Sequence, residues 1–281
     1  MAIRLAENSY GSSRIHLLRV TKQEGRHDIR EIRFSIRFEG DFEAAHIQGD
    51  NRKILPPDSM NNTVYALARQ HSIEPLENLG LHLIEHFLTY NPQVTRVLIQ
   101  ASESSWARLP QGGKPHASAF ARASNEERTS ILNGTREGTQ VRAGIDNLIV
   151  LKTTDSAFED FKKDPYTTLQ DEGNCILSTV IRADWLYTEE EAEFGPLWHG
   201  VRQLLLETFA EHDSQSLQHT LFAMGEAILN NCENVGEIHL SLPSKQFRLA
   251  DLAPLGMDNP GTVFLPTDEP HATVEATLKK T

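Results

Sequence analysis

Apolar residues alternate or cluster from Ile15 to Val20 and again from Ile29 to Phe38, with Gln23 to His27 and its Gly25 between them. Alternation broken by a glycine-bearing polar stretch predicts a long β-hairpin. The period then changes. Over residues 59–71, Val64, Leu67 and Ala68 fall at helical spacing, and Ser59 is a candidate N-cap. A second helix is predicted after Pro75, with Leu76, Leu79, Leu83, Ile84, Phe87 and Leu88 on one face, ending before Pro92. Val94 to Ala101 and Val141 to Lys152 read as strands.

The second half follows the same plan. A strand is predicted over Ile176 to Trp185, a helix over residues 189–211 with Leu197, Val201, Leu204, Leu205 and Phe209 inward, and another helix over residues 214–230. Strands follow at Glu237 to Leu242 and Thr262 to Leu265. The segments Asn91 to Ala101 and Cys232 to Leu242 each follow an amphipathic helix and open a strand, about half the chain apart. The order of elements therefore predicts a ββααββ unit occurring twice, over residues 8–140 and 141–281. Each unit is an α+β layer, an antiparallel sheet with two helices on one face. Open sheet edges invite pairing with other chains, so an oligomeric barrel is expected.

Composition narrows the class of partner. The chain has 281 residues, with 27 Lys and Arg against 39 Asp and Glu, a net charge of −12. A nucleic-acid polymer or anionic membrane needs a basic footprint that this balance does not supply. Two cysteines make neither a disulfide framework nor a Cys-rich zinc site. No run approaches the length of a membrane span, and neither a signal peptide nor a peroxisomal Ser-Lys-Leu is recognisable, so the cytoplasm is the expected location.

Nucleotide-binding glycine motifs and the Gly-x-Ser-x-Gly elbow are missing. His82-Leu-Ile-Glu85-His86 places two imidazoles at i and i+4, a zinc-binding spacing. The same residues also read as the polar face of an amphipathic helix, and with no downstream acidic ligand no metal is expected. Cys175, after Glu172-Gly173-Asn174, reads either as a nucleophile or as a small buried hydrophobe. Glu189-Glu190-Glu191 suits a helix N-terminus.

Several strings, in order, resemble urate oxidase. They are Gly40-Asp41-Phe42, Gly49-Asp50-Asn51, Asp58-Ser59-Met60, Asn62 to Ala66, Leu148 to Thr154, Tyr166 to Leu169, Leu217 to Leu221, and Pro266-Thr267-Asp268. The resemblance runs from about Asn8 to Leu278. It implies a tunnelling fold of two ββααββ repeats, a homotetrameric barrel with pockets between subunits, and oxidation of urate by molecular oxygen without cofactor or metal.

Most of the family's chemical positions are changed. The family's Tyr-Gly-Lys is Tyr10-Gly11-Ser12 here, and its Thr-Asp pair is Pro57-Asp58. Its arginine before Ile-Leu is Cys175, and its Leu-Pro-Asn-Lys-His is Leu242-Pro243-Ser244-Lys245-Gln246. Two positions match: Phe158, which the resemblance assigns to stacking on the substrate ring, and Gln218, assigned to gripping an amide edge, with Leu217 in place of a valine beside it. Ser12, Pro57 and Gln246 cannot reproduce a lysine–threonine–histidine proton relay. A stacking ring and a two-pronged amide still suit a flat heterocycle.

Arginine at position 175 would offer charged donors to an anionic, oxo-bearing edge. A ring with an amino group there would set donors against donors, and Cys175 removes that clash. The expected ligand is therefore a purine-type ring other than, or in addition to, urate, such as 8-oxoguanine, with molecular oxygen as co-substrate. Cys175, Ser12, Gln246 and Ser244 line the altered site, and Asp58 is the candidate for proton transfer. Asp58 reads equally as a favourable charge at a helix N-terminus. A purine-binding relative without chemistry, and a true urate oxidase or a hydrolase of a purine breakdown product, are the alternatives.

Overall fold

The computed structural model describes residues 3–190, 192–267 and 271–281. Glu191 of the acidic triplet and Asp268 of the Pro-Thr-Asp string lie outside the described residues. The chain divides into two compact units, Met1–Gly144 with Trp185–Trp198, and Ile145–Asp184 with His199–Thr281.

In the first unit, β1 (Tyr10–Gln23) and β2 (Arg26–Gly40) form the hairpin, turning at Gly25 with φ of 72°. A six-residue helix α1 (Glu43–Gln48) and a short turn precede α2 (Pro57–Gln70) and α3 (Leu76–Tyr90). The long hairpin of β3 (Val94–Gln111) and β4 (Lys114–Thr135) follows, and β5 (Gly138–Lys152) begins in this unit. Neighbouring strands run β1-β2-β3-β4-β5, with the first three pairings antiparallel between β1, β2, β3 and β4. Ile32, Phe34, Ile36 and Phe38 of β2 are buried at alternate positions, as are Met60, Val64, Leu79, Leu83 and Phe87 of the helices, and Phe38 packs edge-on against Phe87 at 4.9 Å. Each such side chain stabilises the fold by roughly 1.5–3 kcal/mol when fully buried.

In the second unit, strand neighbours run from the end of β5 through β6 (Leu177–Tyr187) to β7 (Val235–Leu249). Antiparallel β8 (Phe264–Thr267) and β9 (Thr273–Lys279) both pair with β7. The helices are α4 (Phe194–Glu211), which begins in the first unit, and α5 (Leu217–Asn231). Val201, Leu205 and Phe209 of α4, Leu221, Met224 and Ile228 of α5, and Ile238, Leu240 and Leu242 of β7 are buried. No helix among the described residues is long and apolar enough to cross a membrane.

Several boundaries differ from the sequence expectation. The helix expected at 59–71 starts at Pro57, with Pro56 at the N-cap, so Ser59 lies inside the first turn and is not the cap. Proline suits that place because it has no N–H to leave unpaired there. The helix expected from 189 starts at Phe194; Glu189 and Glu190 precede it, and Glu190 Oε1 instead accepts a 2.6 Å hydrogen bond from the Thr139 N–H. The helix expected from 214 starts at Leu217, because the Ser216 hydroxyl caps it by accepting from the His219 N–H. Strands β4 and β9 were not individually expected. Ser, Arg, Glu and Asn crowd the first part of β4, so its ladder with β3 and not an apolar period makes it a strand.

Candidate functional site

The first unit holds Ser12, Pro57 and Asp58. Gly11 faces the β2 backbone so closely that a Cβ there would lie 1.8 Å from the Ile36 carbonyl oxygen. Only glycine fits that approach. The strand is irregular between Ser12 and Ile15, where Arg14 takes a φ of 59°. Tyr10 packs edge-on against Phe38 and Phe42, and its hydroxyl accepts from the Leu55 N–H at 2.9 Å. Burial raises the Tyr10 phenol above its ordinary value. Tyr10 thus ties β1 to the loop that delivers Pro56 and Pro57.

Ser12 Oγ donates to Asn61 Oδ1 of α2 at 2.7 Å. Its one proton is therefore committed to an amide oxygen, which is too weak a base to activate the hydroxyl. Pro57 is exposed and presents no polar group. Asp58, also exposed, accepts a 3.4 Å contact from Asn62 Nδ2 one turn along α2. That geometry fits the helix-terminus reading of Asp58. The Gly49-Asp50-Asn51 string is architectural: Gly49 closes α1 at a φ of 68°, and Asp50 caps the next turn by accepting from Arg52 N–H. The Arg52 guanidinium holds the Asp50 carboxyl down at about 2.

The second unit holds Phe158, Cys175, Leu217, Gln218, Ser244 and Gln246. After β5 the backbone runs through Asp155 to Phe158 and bonds on both sides. On one side, Phe158 and Glu172 exchange N–H···O bonds of 2.8 and 3.1 Å, and Cys175 N–H donates to Ser156 C=O at 2.8 Å. On the other, Ala157 N–H donates to Ser214 C=O at 2.7 Å, and Ser214 N–H to Asp155 C=O at 2.9 Å. Ser156, almost fully buried, donates its hydroxyl to the Cys175 carbonyl and stands 3.7 Å from Cys175 Sγ. Phe158 and Cys175 are thus joined through Ser156, and the same segment reaches the loop that opens α5.

Phe158 is 39% exposed and stacked on Phe161, with centroids 5.0 Å apart and planes 10° from parallel. One aromatic face is covered within the chain. Gln218, in the first turn of α5, is exposed, and its amide bonds to no described residue. Leu217 beside it is half-buried. Ser244 and Gln246 lie on β7: Ser244 N–H donates to Ala272 C=O at 2.7 Å, and Gln246 pairs with Thr267 of β8. Thr179 of β6 donates to the Pro243 carbonyl at 2.8 Å, which fixes the strand where Ser244 begins to turn outward.

Sequence reasoning missed the hydroxyls that hold this assembly, Ser156, Ser214 and Thr220, all buried, and Asn61 in the first unit. Small polar residues carry no periodic signal; their burial alone marks them. The zinc-spaced histidines have other partners. His82 stacks on His71 at 4.2 Å, and His86 packs tilted on Tyr90 at 4.6 Å, with burial lowering its basicity. Among the described residues no three His, Cys, Asp or Glu side chains are placed to hold a metal ion.

The family profile described as Uricase matches residues 8–133 and 141–275. The chain belongs to the uricase family. It is 39% identical over 276 residues to the uricase of Arthrobacter globiformis, covering 98% of this chain and 90% of that one. It is 32% identical to the uricase of Dictyostelium discoideum over 279 residues, covering 98% and 97%. The fold matches the crystal structure of the Arthrobacter globiformis uricase with a TM-score of 0.94 over 100% of this chain and 96% of that one. A urate oxidase from Bacillus sp. TB-90, at 19% identity, shares the fold with a TM-score of 0.85 over 97% and 100% of the two chains. The architecture is therefore the α+β tunnelling fold of uricases, and the family is an oxidoreductase family of purine metabolism. By the resemblance, Ser12, Pro57, Cys175, Ser244 and Gln246 fall at positions where a lysine, a threonine, an arginine, an asparagine and a histidine are expected.

Proposed function

We propose that this uricase-family chain binds a planar purine-type heterocycle other than, or in addition to, urate, and oxidises it with molecular oxygen and without cofactor or metal. The observation that carries the reading is the second-unit assembly. An exposed aromatic ring and an unengaged amide are fixed on the segments that Ser156 and Ser214 tie together, with Cys175 on the same segment. A ring with an amino group where urate has an oxo group, such as 8-oxoguanine, meets no opposing donors from Cys175. Oxidation removes two electrons from the ring; oxygen takes them with two protons and leaves as hydrogen peroxide. Asp58, retained from the family's Thr-Asp pair, is the candidate for proton transfer; Ser12, Cys175 and Gln246 stand at changed chemical positions, and Leu217, Ser244 and Pro57 are expected substrate contacts.

The pocket reading includes a homotetramer in which tunnelling repeats 8–140 and 141–281 close a barrel and place pockets between subunits, in the cytoplasm. The two matched profile segments, one in each repeat, support the duplication.

Purified protein incubated with 8-oxoguanine or with urate, followed by ultraviolet absorbance, oxygen uptake and peroxide release, tests the proposal. Turnover of 8-oxoguanine is expected. Turnover of urate alone overturns the substrate assignment. The second reading, a purine-binding protein without chemistry, is favoured by the Ser12–Asn61 bond, which occupies a hydroxyl where the family has a base. Tight binding of either ring with no oxygen uptake selects it.

A further inference from the structure

The loop before α5 contains a buried polar chain that the substrate reading does not use. Ser214 is 1% exposed and Thr220 fully buried. Ser214 Oγ lies 3.0 Å from the Ser216 carbonyl, Thr220 Oγ1 lies 2.7 Å from Ser214 Oγ, and His212 Nδ1 lies 3.3 Å from Thr220 Oγ1. A carbonyl only accepts, and each hydroxyl has one proton to give. Thr220 Oγ1 also lies 3.4 Å from the Ser216 carbonyl, but its one proton goes to the nearer Ser214 Oγ, so the three shorter contacts are satisfied in one direction. Ser214 donates to Ser216 C=O, Thr220 donates to Ser214, and the His212 Nδ1–H donates to Thr220. Thr220 N–H also donates to Ser216 C=O at 3.1 Å, and Ser216 Oγ caps α5 by accepting from His219 N–H at 3.1 Å. Ser216 is thus held from both sides, two residues before Gln218.

His212 is itself fixed. Its carbonyl accepts from Lys152 Nζ, the ammonium lies 5.7 Å over the Phe209 ring, and the His219 ring meets the His212 ring edge-on at 4.3 Å.

We propose that His212 is a positioning residue for Gln218: its Nδ1–H starts a hydroxyl relay through Thr220 and Ser214 that locks the Ser216 cap of α5 and so sets the Gln218 amide against a bound ring. The proposal rests on the purine-binding reading of Gln218. It makes that binding depend on pH. Protonating Nε2 would set a cation beside Lys152 and His219, with Asp213, and Asp155 near Lys152, as the opposing charges. Burial, followed by His219 and Lys152, lowers His212 from its ordinary value of 6.5. A histidine lowered by folding contributes stability that is present above its unfolded value and lost as pH falls through its folded value. The imidazolium keeps its Nδ1–H, so it is the added charge facing Lys152 and His219, and not loss of the relay's first bond, that loosens the cap as pH falls.

Two measurements test this on the full-length protein. One is calorimetric affinity for 8-oxoguanine and for urate from pH 5 to 8. The other, independent of any ligand, is hydrogen exchange at the backbone amides of His219 and Thr220. His212→Leu and Thr220→Val are expected to speed that exchange about tenfold and weaken affinity about tenfold, the loss of roughly one buried hydrogen bond. Thr220→Ser keeps the hydroxyl and restores both. His212→Asn keeps an N–H donor but cannot titrate, so the cap holds and its acid-side loosening disappears. Unchanged exchange in His212→Leu, or a wild-type pH profile in His212→Asn, overturns the proposal. If the wild-type chain binds neither ring at any pH, the purine reading fails, and the exchange data alone decide whether His212 sets α5.

Discussion

At Tyr10-Gly11-Ser12 and again at Ser156–Phe158 the backbone is held by contacts that leave little freedom, yet the two regions have fared differently in what they present. In the first, Gly11 presses against the Ile36 carbonyl and Tyr10 anchors the loop before α2, while the next side chain, Ser12, is turned into an architectural bond with Asn61. In the second, Ser156 and Ser214 fix the loops, and Phe158 and Gln218 remain presented and unengaged by polar partners. The difference separates two tasks. Holding a flat ring needs shape and a few neutral hydrogen bonds, whereas moving protons needs groups that titrate near working pH. On the reading proposed above, the second region belongs to the first task, and the first region carries a serine where the resemblance leads one to expect a proton-moving lysine.

The strongest way to break that contrast is to restore the missing groups. Ser12→Lys, Pro57→Thr, Cys175→Arg, Ser244→Asn and Gln246→His, introduced together, should raise urate-dependent oxygen uptake about a thousandfold over the parent chain, the scale of positioned acid–base catalysis. No increase in a folded, urate-binding variant would mean that the frame itself, and not the side chains, differs from that of an oxidising uricase.

Next in size is a test of the frame. Gly11→Ala forces a methyl group into the Ile36 carbonyl, and the strand must shift. A loss of about 3 kcal/mol in chemical denaturation is expected, in line with overpacking of a closely fitted position. A near-neutral result would show that the Tyr-Gly step is not held by its backbone.

These two regions also show what a sequence displays and what it hides. The hairpin, both helix pairs and the apolar faces of α2, α3 and α4 are legible because apolar residues repeat with the period of their element. Strand β4 was hidden because its outer half is a polar ribbon with no buried face to set a pattern. The starts of α2 and α4 were misjudged because acidic and hydroxyl residues there have tertiary duties: Glu190 bonds to Thr139 N–H, and proline starts α2. In the candidate site, Phe158, Cys175 and Gln218 are assigned to the site only by resemblance to a family. The serines and the threonine behind them are not legible, because a buried hydroxyl looks like any surface serine until its partner is located.

A single exchange sharpens the comparison further. Cys175→Arg places a cation next to Phe158 on a backbone that Ser156 already fixes. The ratio of affinities for urate over 8-oxoguanine should rise about tenfold to a hundredfold, the scale of a charge-assisted bond gained on one ring and a donor clash on the other. Equal binding before and after would remove position 175 from the specificity argument.

The smallest expected effect bears on the first region alone. Ser12 Oγ donates to Asn61 Oδ1 at 2.7 Å in a half-buried setting. Ser12→Ala deletes that bond but leaves the Asn61 oxygen able to find water, so stability should fall by about 1 kcal/mol or less. Any turnover by the parent chain should be unchanged, because a serine whose proton is committed to an amide oxygen neither donates nor withdraws a substrate proton at a useful rate. Denaturation curves and initial rates on the same preparation separate the two effects. A fall in rate with stability intact would place Ser12 in the chemistry, and the first region would then be a working half-site with a serine in the lysine's place.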